Sequence, residues 1–196
     1  IVPKNDEFFG EYIPDNKDKL KFISNFSGSF GFALILKNKN YLFVDGRYTA
    51  QAKMQSGKFF NIVTIPYKFP SHILKRKRLK IGFDPKLYTH KTLKFFFSAT
   101  NCKLISLSQN LIDKLWIKKK SSIFENFYIL PKKAVGQNYR LKIDKLVNIL
   151  NKKKIDFQFI SASENIAWLL NIRGRDSEFA PIPNAYLTLD SNKKIN

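Results

Sequence analysis

Apolar and polar positions along the first 116 residues switch repeatedly between two periods, and each switch predicts an element. Ile1 to Pro3 reads as the tail of a strand. Asp15 follows Pro14 and precedes Leu20, Phe22, Ile23 and Phe26, which predicts a helix capped by Asp15, with Asp18 favouring its positive end, and stopping near Gly28. From Gly31 to Lys37 the period becomes two, with Phe32, Leu34 and Leu36 on one face and Ala33 and Ile35 on the other. Both faces are apolar, so this strand is expected to be covered on both sides. Lys37-Asn38-Lys39-Asn40 supplies a polar turn and Tyr41 to Val44 a second strand, which together predict a hairpin. A helix is expected from Asp45-Gly46 through Met54, then a strand at 60–65, a short helix at 69–75 and a strand at 80–83. A Thr89-capped helix to about Ala99, a strand at 103–107 and a short helix at 111–116 follow.

Lys118-Lys119-Lys120-Ser121-Ser122 breaks this pattern and is the best linker candidate, with the polar stretch at Pro131-Lys132-Lys133 extending it. Beyond it a helix is predicted from Gln137 to about Leu150, with Leu141, Leu146, Val147 and Leu150 on one side. A strand at 157–160, a helix capped by Ser161 or Ser163 and carrying Ile166, Trp168, Leu169 and Leu170, and a strand at 184–190 complete the pattern. Phe22-Ile23-Ser24-Asn25-Phe26-Ser27-Gly28 parallels Trp168-Leu169-Leu170-Asn171-Ile172-Arg173-Gly174: a helix end, an Asn, an apolar residue and a Gly. In Gly28-Ser29-Phe30-Gly31 the glycines are expected to allow a tight helix-to-strand turn. The alternation of strands and helices gives an α/β class, and the repeat suggests two similar α/β domains in tandem, the second incomplete. The expected division is a first domain over 1–118, a linker over 119–136 and the start of a second domain over 137–196. A first residue other than Met and a last hairpin turn in mid-course both read as cuts inside a longer protein.

Composition narrows the chemistry. The single Cys102 rules out an intrachain disulfide and a cysteine zinc site, and fits a small apolar residue in a reducing, cytoplasmic setting. There is no run of about 18 apolar residues and no visible signal peptide. The net charge of +20 is carried mostly by Lys, with only six Arg, in a chain rich in Asn, Ile and Phe. Arg is the preferred side chain for bidentate phosphate and base contacts. The charge is therefore read as compositional, and neither nucleic acid nor a membrane is the expected partner. The other reading is a catalytically dead binding protein that uses Lys75-Arg76-Lys77-Arg78 and Lys152-Lys153-Lys154 for an anionic partner.

His72 and His90 are the only histidines, and neither has a metal-ligand spacing. No nucleophile elbow or phosphate loop is present. Two clusters look functional. Asp45-Gly46-Arg47-Tyr48 sits where a strand gives way to a helix, a usual place for binding residues. Arg47 either reaches into a cleft to meet a carboxylate or carbonyl, or simply pairs with a helix-capping Asp45; the second is preferred because capping explains the Asp. In Asn171-Ile172-Arg173-Gly174-Arg175-Asp176, Arg173 and Asp176 either fix a loop by a salt bridge or serve an interdomain contact.

Taken together these motifs resemble one family, the Xaa-Pro aminopeptidases (aminopeptidase P). Asp45-Gly46-Arg47-Tyr48 with Gln51-Ala52, Phe26-Ser27-Gly28-Ser29-Phe30-Gly31, Asn110-Leu111-Ile112-Asp113-Lys114-Leu115-Trp116 and Ile166-Ala167-Trp168-Leu169-Leu170-Asn171-Ile172-Arg173-Gly174 each resemble a family segment. With Glu11-Tyr12 they run in order over nearly the whole chain. The sequence departs at Phe8, where the family often has His, at Arg175, where it has a small residue, and at Ala180-Pro181, where it has Asn-Pro. The resemblance implies two creatinase-amino-terminal-like (ribonuclease H-like) domains with mixed sheets flanked by helices. It further implies a pita-bread catalytic domain, absent here, whose two Asp, one His and two Glu hold two manganese ions. It implies removal of an N-terminal residue preceding proline, and a homodimer formed through the missing domain. On that reading no catalytic or metal residue lies in this chain. It would shape and gate the active site, with Asp45, Arg47, Tyr48, Arg173 and Asp176 as substrate-mouth or interdomain candidates.

Overall fold

A computed structural model describes residues 1–117, 126–177 and 179–196. The chain divides into two compact units, Ile1–Glu7 with Asp15–Lys120, and Phe8–Pro14 with Ser121–Asn196. The lysine-serine run at 118–122 lies outside the described residues.

The first unit opens with β1 (Val2–Pro3) and α1 (Lys19–Ser24). The cap of α1 is Asp18, not Asp15: Asp18 Oδ1 accepts from the Lys21 amide at 2.9 Å, while Asp15 pairs with the Lys21 ammonium at 2.8 Å. The helix stops at Ser24 because Asn25 turns left-handed (φ 59°), a conformation that Asn tolerates better than most residues. No described glycine has a positive φ. Gly31 is needed for close approach instead, since a Cβ there would lie 2.7 Å from the Phe43 carbonyl oxygen.

The hairpin β2 (Phe32–Ile35) and β3 (Asn40–Asp45) follows as the alternation predicts. Then come α2 (Thr49–Ser56), β4 (Asn61–Ile65), α3 (Pro70–Leu74), β5 (Lys80–Phe83), α4 (His90–Phe97), β6 (Lys103–Ser106) and α5 (Leu111–Leu115). Thr89 and Asn110 cap α4 and α5 through their side chains. The first four strands form a sheet in the order β1-β2-β3-β4, antiparallel except for the parallel β3–β4 pair, and β5 and β6 form a parallel pair. The sheet is covered on both faces. Phe32, Leu34, Phe43 and Val63 pack with Leu74, Ile81, Phe96 and Phe97 on one side, and Ala33, Leu42 and Val44 pack with Leu20, Phe26, Ala52 and Phe60 on the other. Ile35 is the exception, at 46% exposed.

The second unit holds β7 (Tyr128–Ile129), α6 (Tyr139–Lys152), β8 (Phe157–Ile160), α7 (Ser163–Leu170), β9 (Ile172–Arg173) and β10 (Leu187–Asp190). β8 pairs antiparallel with β10, and β7 with β9. β7 falls inside the span expected to be linker; it is two residues long and both are exposed, so no periodicity marks it. On α6 the buried face is Lys142, Ile143, Val147 and Leu150, whereas Leu141, expected on the buried side, is 53% exposed. The 143-147-150 spacing, one helical turn apart, sets that face. Neither Ser161 nor Ser163 caps α7: Ala162 holds the cap position without a side-chain bond, and Ser163 Oγ bonds Ala185 instead.

The two-sided burial makes a direct prediction. Leu34→Ala should lower the unfolding free energy of the first unit by about 3 kcal/mol, because it removes a fully buried side chain from a packed layer. Ile35→Ala, one position away on the exposed edge, should cost well under that. Chemical denaturation of the two variants checks the contrast, and equal losses would contradict the layering.

Candidate functional site

Asp45 ends β3 and opens a short 3-10 turn, Gly46–Tyr48, ahead of α2. Its carboxylate is engaged by its own turn. Oδ1 accepts from the Arg47 amide at 2.9 Å and from Arg47 Nε at 3.2 Å, and Oδ2 accepts from Arg47 Nη2 at 2.7 Å. The guanidinium hydrogen bond, followed by burial acting the other way, leaves the Asp45 carboxyl below its ordinary value. The Arg47 side chain is 74% exposed and lies over the Tyr48 ring at 5.3 Å. The Tyr48 hydroxyl shares a 2.8 Å hydrogen bond with Ser29 Oγ. The sequence expectation that Asp45 caps and Arg47 pairs with it describes this geometry. What remains available to a ligand is the outer face of a guanidinium, a donor for a carboxylate or carbonyl. His72 spends Nδ1 accepting from the Phe69 amide at 3.0 Å.

The second cluster lies in the other unit. Arg173 Nη1 donates to the Ile172 carbonyl at 2.8 Å and the Ala167 carbonyl at 3.2 Å, and Asp176 Oδ2 accepts from the Asn184 amide at 2.7 Å. Arg173 and Asp176 therefore hold backbone rather than each other. Gly174 is required sterically, because a Cβ would meet the Pro183 Cα at 2.6 Å.

Lys142 is the residue that sequence reasoning missed. Its ammonium donates to the Trp168 carbonyl and, at 2.6 Å, to Asn171 Oδ1, and it lies 4.2 Å from the Trp168 ring centroid. Burial first, and the Arg173 charge second, lower its pKa below the ordinary lysine value. Asn171 is left-handed (φ 56°), and its amide also donates to the Gln137 carbonyl at 2.9 Å. A lysine beside an apolar helix stripe carries no sequence signal of this role. Among the described residues no group of three His, Cys, Asp or Glu could hold a metal ion. The described residues therefore do not form a dinuclear metal site.

A mixed sheet layered between helices, followed along the chain by a second α/β unit, with two left-handed Asn helix stops and an Asp-Gly-Arg turn, defines the class as tandem α/β units. Family models described as Creatinase/Prolidase N-terminal domain match residues 12–115 and 118–196. The chain belongs to this creatinase/prolidase N-terminal domain family. It is 32% identical to a probable Xaa-Pro aminopeptidase P of Laccaria bicolor over 100% of this chain and 32% of that protein. It is 28% identical to Aminopeptidase P1 of Lotus japonicus over 98% of this chain and 31% of that protein. Among solved structures, the Caenorhabditis elegans X-prolyl aminopeptidase, described as a cytosolic enzyme with a di-nuclear active site, superposes with a TM-score of 0.87 at 29% identity. That match covers 99% of this chain and 33% of the other. The chain thus spans about a third of the length of these relatives. No helix among the described residues is long and apolar enough to cross a membrane.

Two outcomes follow from the geometry. Asp45→Ala should destabilise the first unit by about 1 kcal/mol at neutral pH by removing the turn's cap. Because the folded carboxyl titrates below its ordinary 3.8, its stabilisation is complete above that pH and is lost as pH falls through the lower folded value. The gap between wild type and variant in thermal unfolding should therefore hold from neutral pH to about 4 and narrow below it. Lys142→Met should cost the second unit about 2 kcal/mol, since the Asn171 and Trp168 acceptors lose a charged donor inside the unit. An unchanged denaturation midpoint for that variant would contradict the clamp.

Proposed function

We propose that this chain is the amino-terminal, non-catalytic portion of an Xaa-Pro aminopeptidase, a peptidase that removes the residue preceding a proline at the second position. The observation that carries the reading is the superposition on the Caenorhabditis elegans X-prolyl aminopeptidase across 99% of this chain. The relatives from Laccaria bicolor and Lotus japonicus, both named as aminopeptidases P, support it. The hydrolytic centre then belongs to the remainder of the protein, with two metal ions, assigned as manganese from the oxygen-rich ligand set that the family resemblance implies. The metal pair supplies an activated water. The residues of this chain bind and orient the peptide and exclude longer or folded substrates. Arg47 and Tyr48 offer an exposed guanidinium and a ring face for that purpose, and Arg173 and Asp176 fix the loop that follows α7. The active protein is a homodimer formed through the remainder, working in the cytosol.

The full-length protein should release the first residue from short Xaa-Pro peptides. Chelation should abolish the activity and manganese should restore it better than magnesium. Residues 1–196 alone should release nothing. A metal-loaded full-length protein that leaves Xaa-Pro bonds intact overturns the reading, as does hydrolysis by the isolated chain.

A further inference from the structure

The second unit contains a cavity of about 400 Å³ between the Phe8–Tyr12 segment, the first turn of α7 and residues Ser177, Ala180, Ile182 and Asn184. That size is sufficient for a small ligand group. Its wall carries two carboxylates, Glu11 and Glu164, and the aromatic rings of Phe8 and Tyr12, with no Lys, Arg or His among the lining residues. In a chain with 35 Lys and Arg against 15 Asp and Glu this runs against composition. Three other cavities each include lysine in their walls. The rings are braced from behind: Phe8 packs on Tyr186 with centroids 5.0 Å apart, and Tyr12 on Phe179 at 5.1 Å. Asp176, bonded to the Asn184 amide, holds the loop wall. Among the described residues the Ser177 hydroxyl, which lines the cavity, is buried without a hydrogen-bond partner.

Glu164 on its own has a local explanation, because it lies in the first turn of α7, where the helix dipole favours a negative charge. Glu11 does not. It comes from a different segment about 150 positions earlier in the chain, and it faces the same cavity. Two carboxylates, a spare hydroxyl and aromatic faces form a setting for a cation with an apolar body. The carboxylates neutralise it, the hydroxyl accepts one N–H, and the rings attract it through their quadrupole.

We propose that this cavity binds a positively charged group of a peptide, an ammonium or a guanidinium, through Glu11 and Glu164. The identity of the cation as part of a peptide rests on the peptidase reading above; the charge preference of the cavity does not. Two sources share this chemistry, a lysine or arginine side chain and a free N-terminal amine, and the test separates them.

The full-length protein is titrated calorimetrically with N-acetyl-arginine amide, its neutral isostere N-acetyl-citrulline amide, and alanine amide, which has a free ammonium and no basic side chain. At least one cationic probe should bind saturably, and more tightly than citrulline by about tenfold, the scale of one charge-assisted contact. Preference for the arginine probe assigns the cavity to a side chain, and preference for alanine amide assigns it to the N-terminal amine. The double variant Glu11→Gln, Glu164→Gln should weaken binding of that probe by about tenfold or more while the thermal midpoint stays put, since both side chains are exposed. Equal binding of arginine and citrulline probes without alanine amide binding, absence of binding by either cation, or wild-type affinity in the double variant overturns the proposal. Peptide cleavage is not the readout, so a protein that binds the cation but cleaves no Xaa-Pro bond refutes the peptidase reading and leaves the cavity standing.

Discussion

Everything in the first unit depends on a hairpin buried on both faces. Phe32, Leu34 and Phe43 enter one apolar layer while Ala33, Leu42 and Val44 enter the other. The register Phe32↔Phe43 and Ala33↔Leu42 keeps each pair in its own layer. A slip of one residue would exchange the layers, placing Phe rings where Ala33 now sits against Leu20 and Phe26. The stacked Phe32 and Phe43 rings, 4.6 Å apart, could not be accommodated there. With register pinned in this way, β3 ends at Asp45 and the chain can leave the sheet only through the Asp-Gly-Arg turn. The position of Arg47 is therefore a consequence of how β3, the strand it follows, is packed against β2.

The same logic shows which parts of the fold were legible in the sequence. The two-sided alternation in β2, the polar turn and the Thr89 side-chain cap are local signals, and each produced the element read from it. The errors came where local signals tie or vanish. Asp15 and Asp18 are both good caps, and only packing selects Asp18, whose carboxylate is also held by Lys4. Asn25 and Asn171, not Gly28 and Gly174 after them, make the left-handed stops; the glycines answer steric demands instead, from Phe26 and Tyr48 at Gly28 and from Pro183 at Gly174. β7 has two exposed residues, too few for any period to be read.

The candidate site was legible by a similar rule. Asp45 and Arg47 pair across two positions, so their mutual bond is visible in the tetrapeptide itself. Arg173 and Asp176 are also near neighbours, and the salt bridge that adjacency suggests does not form, because Arg173 finds the Ala167 and Ile172 carbonyls and Asp176 the Asn184 amide. Backbone partners have no letter in the sequence. For the same reason Lys142 was invisible, since its principal acceptors are a carbonyl and a side-chain amide almost thirty positions away.

The charge imbalance explains why that lysine is satisfied as it is. With cations outnumbering carboxylates more than two to one, buried lysines compete for few anions. Lys4 and Lys19 obtain Asp18 and Asp113. Lys142 instead donates to the Trp168 carbonyl and to Asn171 Oδ1, at the negative end of α7. There the Trp168 carbonyl, which the Asn171 cap amide reaches only at 3.4 Å, has room for a second donor, and the dipole favours a positive charge. The left-handed Asn171 turns the chain so that its own side chain completes the cation's coordination. A helix stop, a cation site and the start of β9 are thus made by the same few atoms of the Asn171-Ile172-Arg173-Gly174 run.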